Sequence, residues 1–230
     1  MDIAALAQSL PALRADSPLS GAEHVRGFGV PALPFSSGHV LGLRVFAQTD
    51  FGPYWSLWHR DPAGAWTIHV DGVAVGEACP RYFGAALRSA RAARLSLEWR
   101  GPAELLVTMD DPPLEWRVKM GGSLMTAAMN LVLPRITDQV WRRPAVPRIF
   151  ERLAKHFLGD ADMLATVPNG HRHLLAPQRM FLIVDSKAVL AGEDLGAPIR
   201  ARENPHIGPW RLPARPVFAM GRGFFEPAAR

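Results

Sequence analysis

Few residues of this chain have side chains suited to chemistry, and the histidines are the most prominent of them. His171 and His173 alternate around Arg172. At the start of a strand this spacing would point both imidazoles to one face, as a metal site requires. No sequence feature selects a third ligand, and a polar loop with two exposed histidines is the favoured alternative. We therefore expect no metal, with His171 and His173 as the ligands to test.

Two further residues are candidates for proton transfer. His69 lies among aromatic residues, and Glu115 alternates with Trp116 in a later apolar segment. A carboxyl or imidazole group in an apolar cavity has a shifted pKa and can serve as a general acid or base. The alternatives are a hydrogen-bonded core histidine for His69 and a solvated strand face for Glu115.

The single cysteine, Cys79, precedes Pro80 and Arg81. A nucleophilic thiol needs a neighbouring base or cation that lowers its pKa. Arg81 supplies charge, but the local sequence matches no thiol-enzyme signature, which favours a buried, unreactive thiol. A lone cysteine cannot form an internal disulfide, which is typical of a reducing compartment.

Composition and motifs argue against several function classes. The 230 residues are 48% hydrophobic, and 26 basic against 21 acidic residues leave a net charge of +5. The basic residues form no long run and no aromatic–basic pattern, so no nucleic-acid partner is expected. The dinucleotide, P-loop, zinc-protease, serine-hydrolase and CxxC motifs are absent, and we expect no cofactor.

The chain carries no recognisable secretory or membrane-spanning segment. It begins with Met1 and Asp2 and has no basic stretch of the kind that opens a signal peptide. Its most apolar stretch, residues 124–133, ends at Pro134 and is shorter than the roughly 20 residues that cross a bilayer. We therefore expect a cytoplasmic protein.

Hydrophobic alternation predicts β-structure on both sides of the chain's middle. Residues 54–70 predict a hairpin around an Asp-Pro-Ala-Gly turn, which brings Trp58 close to Trp66. Residues 2–14 predict a short helix, and the Gly-, Pro- and Ser-rich residues 18–38 predict an irregular segment. Further strands are predicted at residues 39–46, 95–99, 105–109, 114–120, 164–167, 179–184 and 216–225.

Residues 123–158 change to a helical period. Pro134, Pro144 and Pro147 should divide this amphipathic segment into pieces, because proline cannot continue a helix interior. We expect it to cover an apolar cavity. The chain is thus predicted as one α+β domain, residues 1–230, mainly antiparallel sheet with a helical insertion at about 123–158.

The order of these features resembles the acetoacetate decarboxylase superfamily. Residues 76–82 (GEACPRY) stand where that family has its lysine turn, residues 95–120 match a strand pair, and residues 212–217 (LPARPV) resemble its closing stretch. The resemblance implies a β-barrel or cone over residues 30–225. Arg81 and Tyr82 occupy the place of the Schiff-base lysine, and arginine cannot form the imine. What remains implied is a cavity in which Arg81 anchors a carboxylate or ketone oxygen.

A second resemblance is to calycin-like barrels of the lipocalin kind, on account of the tryptophan-rich hairpins and the apolar lid. It gives an alternative fold, although lipocalins rarely hold a long helical insertion.

Three functions are therefore expected to compete. The first is a cofactor-independent enzyme of lyase, hydratase or cyclase type acting on a hydrophobic carbonyl or carboxylic acid, with Arg81, Glu115 and His69 as catalytic residues. The second is a non-catalytic carrier of a hydrophobic ligand. The third is a protein bound to a membrane surface, which is not favoured, and a homo-oligomer is a further possibility. The predicted ligand-binding residues are Tyr82, Trp55, Trp58, Trp116, Met125 and Met129.

Overall fold

The computed structural model describes residues 2–227. Its helices are α1 (Ile3–Gln8), α2 (Pro80–Phe83), α3 (Leu124–Val132), α4 (Asp138–Trp141) and α5 (Ala145–Leu158), with 3-10 turns at Gly84–Ala86 and Leu133–Arg135. The strands are β1 (Leu13–Arg14), β2 (Glu23–Pro34), β3 (Val40–Thr49), β4 (Tyr54–Arg60), β5 (Trp66–Asp71), β6 (Leu87–Ala92), β7 (Leu95–Gly101), β8 (Glu104–Met109), β9 (Leu114–Gly121), β10 (Leu164–Thr166), β11 (Arg172–Leu190), β12 (Glu193–Asp194), β13 (His206–Ile207), β14 (Trp210–Arg211) and β15 (Val217–Glu226).

One sheet holds most strands, in the order β6-β5-β4-β3-β2-β15-β11-β9-β8-β7. Neighbours on this path are antiparallel except β5 and β6, which confirms the α+β class dominated by antiparallel sheet. Within residues 2–227 the end strands β6 and β7 do not pair, so the barrel expected from either resemblance is not closed. Charged side chains such as Arg91 on β6 and Glu98 on β7 are typical of edges that resist further pairing.

The sheet folds back on itself to bury its own apolar face. Phe28 on β2 lies 6.2 Å, between ring centroids, from Trp99 on β7, although these strands are far apart in the sheet order. Trp99 also contacts Phe218 on β15 at 6.2 Å. On β9 the predicted alternation is confirmed, since Trp116 is fully buried and Glu115 is exposed. Burying each such side chain contributes about 1.5–3 kcal/mol, and these contacts form the main core.

The predicted hairpin at residues 54–70 is formed by β4 and β5. Its turn is closed by the Ala65 amide, which donates to Asp61 Oδ1 at 2.9 Å. Trp58 and Trp66 lie 6.3 Å apart between ring centroids in an edge-to-face arrangement, so the predicted tryptophan proximity is confirmed.

The N-terminal predictions are partly wrong. The helix ends at Gln8 because Pro11 lies beyond it, and Leu13–Arg14 pairs parallel with β3 instead. The segment predicted as irregular contains β2, which lies at the centre of the sheet.

Glycines explain why the sequence pattern does not predict β2 as a strand. A Cβ at Gly27 or Gly29 would collide with backbone carbonyls of β3. The register between β2 and β3 shifts beside Gly27, which marks a bulge. Glycine in a strand permits such a bend and such a close approach. Gly27 and Gly29 therefore fit the strand, although glycine has a low propensity for β-structure.

The helical insertion is confirmed as separate pieces. Ser123 and Thr126 form a capping box at the start of α3, and Gly159, with φ 77°, follows the end of α5. Pro134 follows α3 and Pro144 precedes α5, as predicted, whereas Pro147 lies in the first turn of α5 and does not divide it. In the described residues 2–227, no helix has both the length and the apolar character needed to cross a membrane.

The orientation of α3 differs from the expected one. Its polar residues Thr126 and Asn130 are buried, whereas Leu124 and Leu131 are exposed. Asn130 Nδ2 donates to the Met180 carbonyl at 3.0 Å, and Asn130 Oδ1 accepts from the Met180 amide at 2.7 Å. The ladder of β9 on β11 begins only at Leu182, so the Asn130 amide satisfies backbone groups of β11 that β9 does not reach.

Replacing Asn130 tests this inverted orientation. Asn130→Leu adds an apolar residue on the inner face but leaves the Met180 amide and carbonyl unpaired, each at a cost of about 1–3 kcal/mol. We expect the free energy of unfolding, measured by urea denaturation, to fall by at least the cost of one such unpaired group, about 1–3 kcal/mol. The neighbouring Leu131→Asn should change it by less than about 0.5 kcal/mol. Equal losses in both variants would contradict this orientation.

Candidate functional site

A cavity of about 160 Å³ lies where β2, β15 and β11 meet. Gly27 and Gly221 pair across β2 and β15, and both contribute to its lining. An engineered apolar cavity of about 150 Å³ in another protein binds benzene, so a ligand with an aromatic ring fits here. The walls are mostly apolar and include Trp58, Phe83, Met163, Leu175, Trp210, Leu212 and Phe225.

Arg44 places a buried positive charge on this cavity wall. Its guanidinium donates to the carbonyls of Val30 at 3.0 Å and Pro31 at 2.9 Å, and lies 4.3 Å from the centre of the Trp58 ring. Within residues 2–227 it forms no ion pair with a carboxylate. Burial lowers the pKa of Arg44 to about 10, so the group is still a cation at neutral pH.

His173 is a second buried polar group on the wall. Its ring stacks on Phe225, with centroids 4.3 Å apart, and meets Trp210 edge-to-face at 4.7 Å. Its Nδ1 has no hydrogen-bond partner among the described residues. Burial, with a smaller contribution from the Arg44 charge, lowers the pKa of His173 to about 3. The imidazole is therefore neutral.

Cys79 is a further polar residue of the wall, which also includes Asp162, Arg211 and Arg222. The backbone amide of Cys79 donates to the Tyr54 hydroxyl at 3.1 Å, and its Sγ donates to Ser56 Oγ at 3.6 Å. Ser56 also accepts from Trp58 Nε1 at 3.0 Å. Burial raises the pKa of the Cys79 thiol, so it is a poor nucleophile at neutral pH and agrees with the unreactive thiol favoured from sequence.

Arg81 and Tyr82 lie outside the cavity lining. Arg81 forms an ion pair with Glu23, and both Arg81 and Glu23 hydrogen-bond the Tyr82 hydroxyl. The Tyr82 ring stacks 3.7 Å from Phe225, which itself lines the cavity. Arg81 is thus occupied by a carboxylate of the protein. Three other arginines line the cavity: Arg211 and Arg222 pair with Asp162 and Asp138, whereas Arg44 pairs with no carboxylate of the described residues.

The tryptophans predicted to bind ligand are divided among three places. Trp58 lines the cavity. Trp55 is partly buried against the main core, and Trp116 lies inside that core, where it donates to Ser186 Oγ at 3.0 Å. The structure therefore brings only Trp58 to the site.

The other predicted residues also lie away from the cavity. Glu115 is on the exposed face of β9. His69 is buried on β5, where burial and the Arg91 charge lower its pKa to about 4. Met125 is exposed on α3, and Met129 is partly buried against the cluster that contains Leu158.

The two histidines of the His-Arg-His triplet have different surroundings. His173 is in the cavity, whereas His171 lies 5.5 Å, between ring centroids, from Tyr82. Within residues 2–227, no group of three or more His, Cys, Asp or Glu side chains is arranged to hold a metal ion.

Arg44 is the residue that sequence reasoning missed. Its signal is a single arginine inside the apolar run Val40, Leu41, Leu43 and Val45, in a strand that is buried on both faces. A charge in such a strand marks either a buried ion pair or a ligand site. No protein-family model, curated protein or solved structure matches the chain, so the interpretation of the site depends on its geometry alone.

The depressed pKa of His173 predicts how stability changes with pH. The unfolded chain takes up this proton near pH 6.5, and the folded protein only near pH 3. Between these values the unfolded state binds more protons. The contribution of neutral His173 to the free energy of unfolding is therefore fully present above pH 6.5 and is lost on acidification toward pH 3. The fall attributable to His173 is up to about 1.4 kcal/mol per pH unit.

His173→Phe should flatten the decrease in Tm between pH 6.5 and pH 4, because it removes one of the groups that must charge on unfolding. The exposed His156→Phe serves as the matched control and should leave the slope unchanged. If the His173 and His156 variants show the same slope as the parent protein, the burial of a neutral His173 is wrong.

Proposed function

We propose that this protein is a cofactor-independent enzyme that acts on a hydrophobic carboxylic acid or carbonyl compound. The observation that carries the proposal is the buried Arg44, a cation with no carboxylate partner within residues 2–227, beside neutral His173 in an apolar cavity. A buried charge is costly unless it is paired. A carboxylate on the ligand would complete the pair.

The ligand's anionic group would lie against Arg44, whose guanidinium has more N–H donors than the Val30 and Pro31 carbonyls use. Its apolar part would fill the space between Trp58 and Phe225. An aromatic ring of the ligand would make edge-to-face or stacked contacts with these two rings. The site would then select its ligand by shape as well as by charge.

His173 is the proposed proton carrier. Its ring lines the cavity, its Nδ1 has no hydrogen-bond partner among the described residues, and the ring nitrogen that lacks a proton would be the base. Burial is the larger cause of the low pKa of His173 and the Arg44 charge is the smaller one. An anion bound at Arg44 would offset that smaller contribution and so raise the pKa of His173, which favours its action as a general base. Proton transfer at a carbon beside a carbonyl is a step that lyase, hydratase and cyclase reactions share, and this is the reaction class we propose.

Schiff-base decarboxylation is not part of the proposal. Lys119, Lys155 and Lys187 all lie outside the cavity lining, and arginine cannot take their place. The acetoacetate decarboxylase-like fold is retained as a hypothesis about ancestry, with Arg44 in place of Arg81 as the anion anchor. The free, buried Cys79 agrees with the proposed cytoplasmic location.

Ligand binding tests the anchor directly. Phenylacetate should bind more tightly than isosteric phenylacetamide by about tenfold or more, because a charge-assisted hydrogen bond contributes about 1.5–3 kcal/mol. Arg44→Met should abolish this preference in isothermal titration calorimetry, whereas Arg81→Met should retain it. A preference that persists in Arg44→Met, or is absent from the parent protein, would remove Arg44 from the site.

Turnover is tested by hydrogen exchange at carbon. In D₂O, the protein should accelerate the exchange of the benzylic hydrogens of phenylpyruvate, followed by NMR. His173→Phe should reduce the acceleration at least about 100-fold, the lower range for general-base catalysis, while leaving phenylpyruvate bound. Cys79→Ser should retain most of the rate.

The second candidate is a carrier of hydrophobic acids. It is favoured by the predominance of apolar residues in the cavity lining and by the low pKa of His173. Binding of phenylpyruvate at Arg44 without accelerated exchange would select the carrier over the enzyme.

A further inference from the structure

The outer face of α3 is almost entirely apolar. Leu124 is 92% exposed and Leu131 is 64% exposed, and Met125 and Val132 are exposed beside them. Ala127 and Ala128 are exposed on the same side. A surface helix ordinarily turns this face to the core, whereas here the inner contacts are made by the polar Asn130.

The outer face of α5 combines apolar and basic residues. Ile149 and Leu153, one helical turn apart, are exposed, the latter to 72%. Arg148 and Arg152 precede each of them and are exposed as well. The apolar pair is therefore bordered by positive charge along the helix.

The acidic residues of this segment are already occupied. Asp138 forms an ion pair with Arg222. Glu151 Oε1 accepts from the amides of Met163 at 2.7 Å and Leu164 at 3.0 Å. Among residues 2–227, no carboxylate pairs with Arg143, Arg148 or Arg152. The uncompensated charge on this face is consequently positive.

The inner sides of α3 and α5 pack against the same apolar cluster. Met129 of α3 packs against the cluster that contains Ala154 and Leu158 of α5. We call the exposed apolar and basic residues of the two helices together the apolar-basic face (residues 124, 125, 127, 128, 131, 132, 148, 149, 152 and 153).

We propose that the apolar-basic face docks on an anionic lipid bilayer. Leucine, methionine and isoleucine beside arginine are the combination with which interfacial helices insert their apolar side chains below the headgroups while their cations contact lipid phosphates. A protein partner fits less well, because the face carries no aromatic side chain of the kind that is enriched in protein interfaces. This helical segment lies on the bilayer and does not span it.

The proposal gives the cavity a route to the bilayer. Leu158, the last residue of α5, lines the cavity, and so does Met163 just after it. A hydrophobic acid dissolved in the bilayer would meet the cavity at the end of the docked helix. Membrane docking does not depend on the proposed function, since the exposed face and its charges are independent of what the cavity holds.

Vesicle flotation of the full-length protein tests the docking. Binding to phosphatidylcholine vesicles that contain phosphatidylglycerol should exceed binding to pure phosphatidylcholine and should weaken as salt rises. Each basic residue near an anionic surface strengthens binding by roughly fivefold. The double variant Arg148→Glu/Arg152→Glu should therefore bind more than about twentyfold more weakly.

The apolar contribution is tested with Leu131→Glu/Leu153→Glu, which should also lose flotation. The matched control is Leu13→Glu/Ile199→Glu, which changes exposed apolar residues elsewhere and should float like the parent. Because these positions are exposed, the variants should keep the parental Tm and the parental affinity for phenylacetate. A failure of docking is thereby distinguished from a failure of the cavity.

Three outcomes would overturn the proposal: no flotation of the parent protein, equal flotation on neutral and anionic vesicles, or full binding by both double variants. A lipid-free dimer in sedimentation velocity that Leu131→Glu/Leu153→Glu abolishes would likewise overturn it, because it would assign the face to a second copy of the chain.

Discussion

A long sheet with only short helices must find another way to bury its apolar side chains. This protein folds the sheet back so that β7–β9 cover the face of β2 and β15, as the contacts among Phe28, Trp99 and Phe218 show. The fold-back requires a sharp bend at the middle of the sheet. Glycines supply that bend, since Gly27 and Gly29 approach the β3 backbone more closely than any side chain would allow. The remaining architecture follows from this one requirement.

The cavity lies beside the pair of Gly27 and Gly221, and large aromatic residues of neighbouring elements form much of its wall. Close packing is the rule in protein interiors, so a void with a buried arginine at its wall is an expensive feature. The carbonyls of Val30 and Pro31 and the Trp58 ring offset part of the cost of burying Arg44, and a bound anion would offset more.

The helical insertion illustrates how hydrogen bonding can override hydrophobic patterning. The backbone of β11 around Met180 extends past the end of β9, and buried backbone groups must be paired. Asn130 pairs them, and in doing so it turns the apolar residues of α3 outward. The exposed apolar face is therefore not an accident of loose packing. It follows from the two hydrogen bonds of Asn130, which place the apolar residues of α3 at the surface.

Much of the fold was accessible from local patterns. The hairpin at residues 54–70, the alternating strand β9 and the helical pieces within residues 123–158 follow from periodicity, turn residues and prolines. In contrast, β2 was not predicted, because glycine and proline residues such as Pro31 are typical of turns. Of the predicted ligand-binding residues only Trp58 lines the cavity. The alternation of residues along a strand shows that the strand has two different faces, but it does not show which face lines a cavity.

The sequence by itself determined the class of the protein: an antiparallel-rich α+β chain, a free cysteine, no lysine near the turn at residues 76–82, and an amphipathic insertion. Only the tertiary structure decided which arginine is buried at the cavity without a carboxylate partner among the described residues, and which side of α3 faces inward. Both depend on contacts between residues distant in sequence, Arg81 with Glu23 and Asn130 with Met180. Burial and charge pairing are properties of such contacts, and no local pattern encodes them.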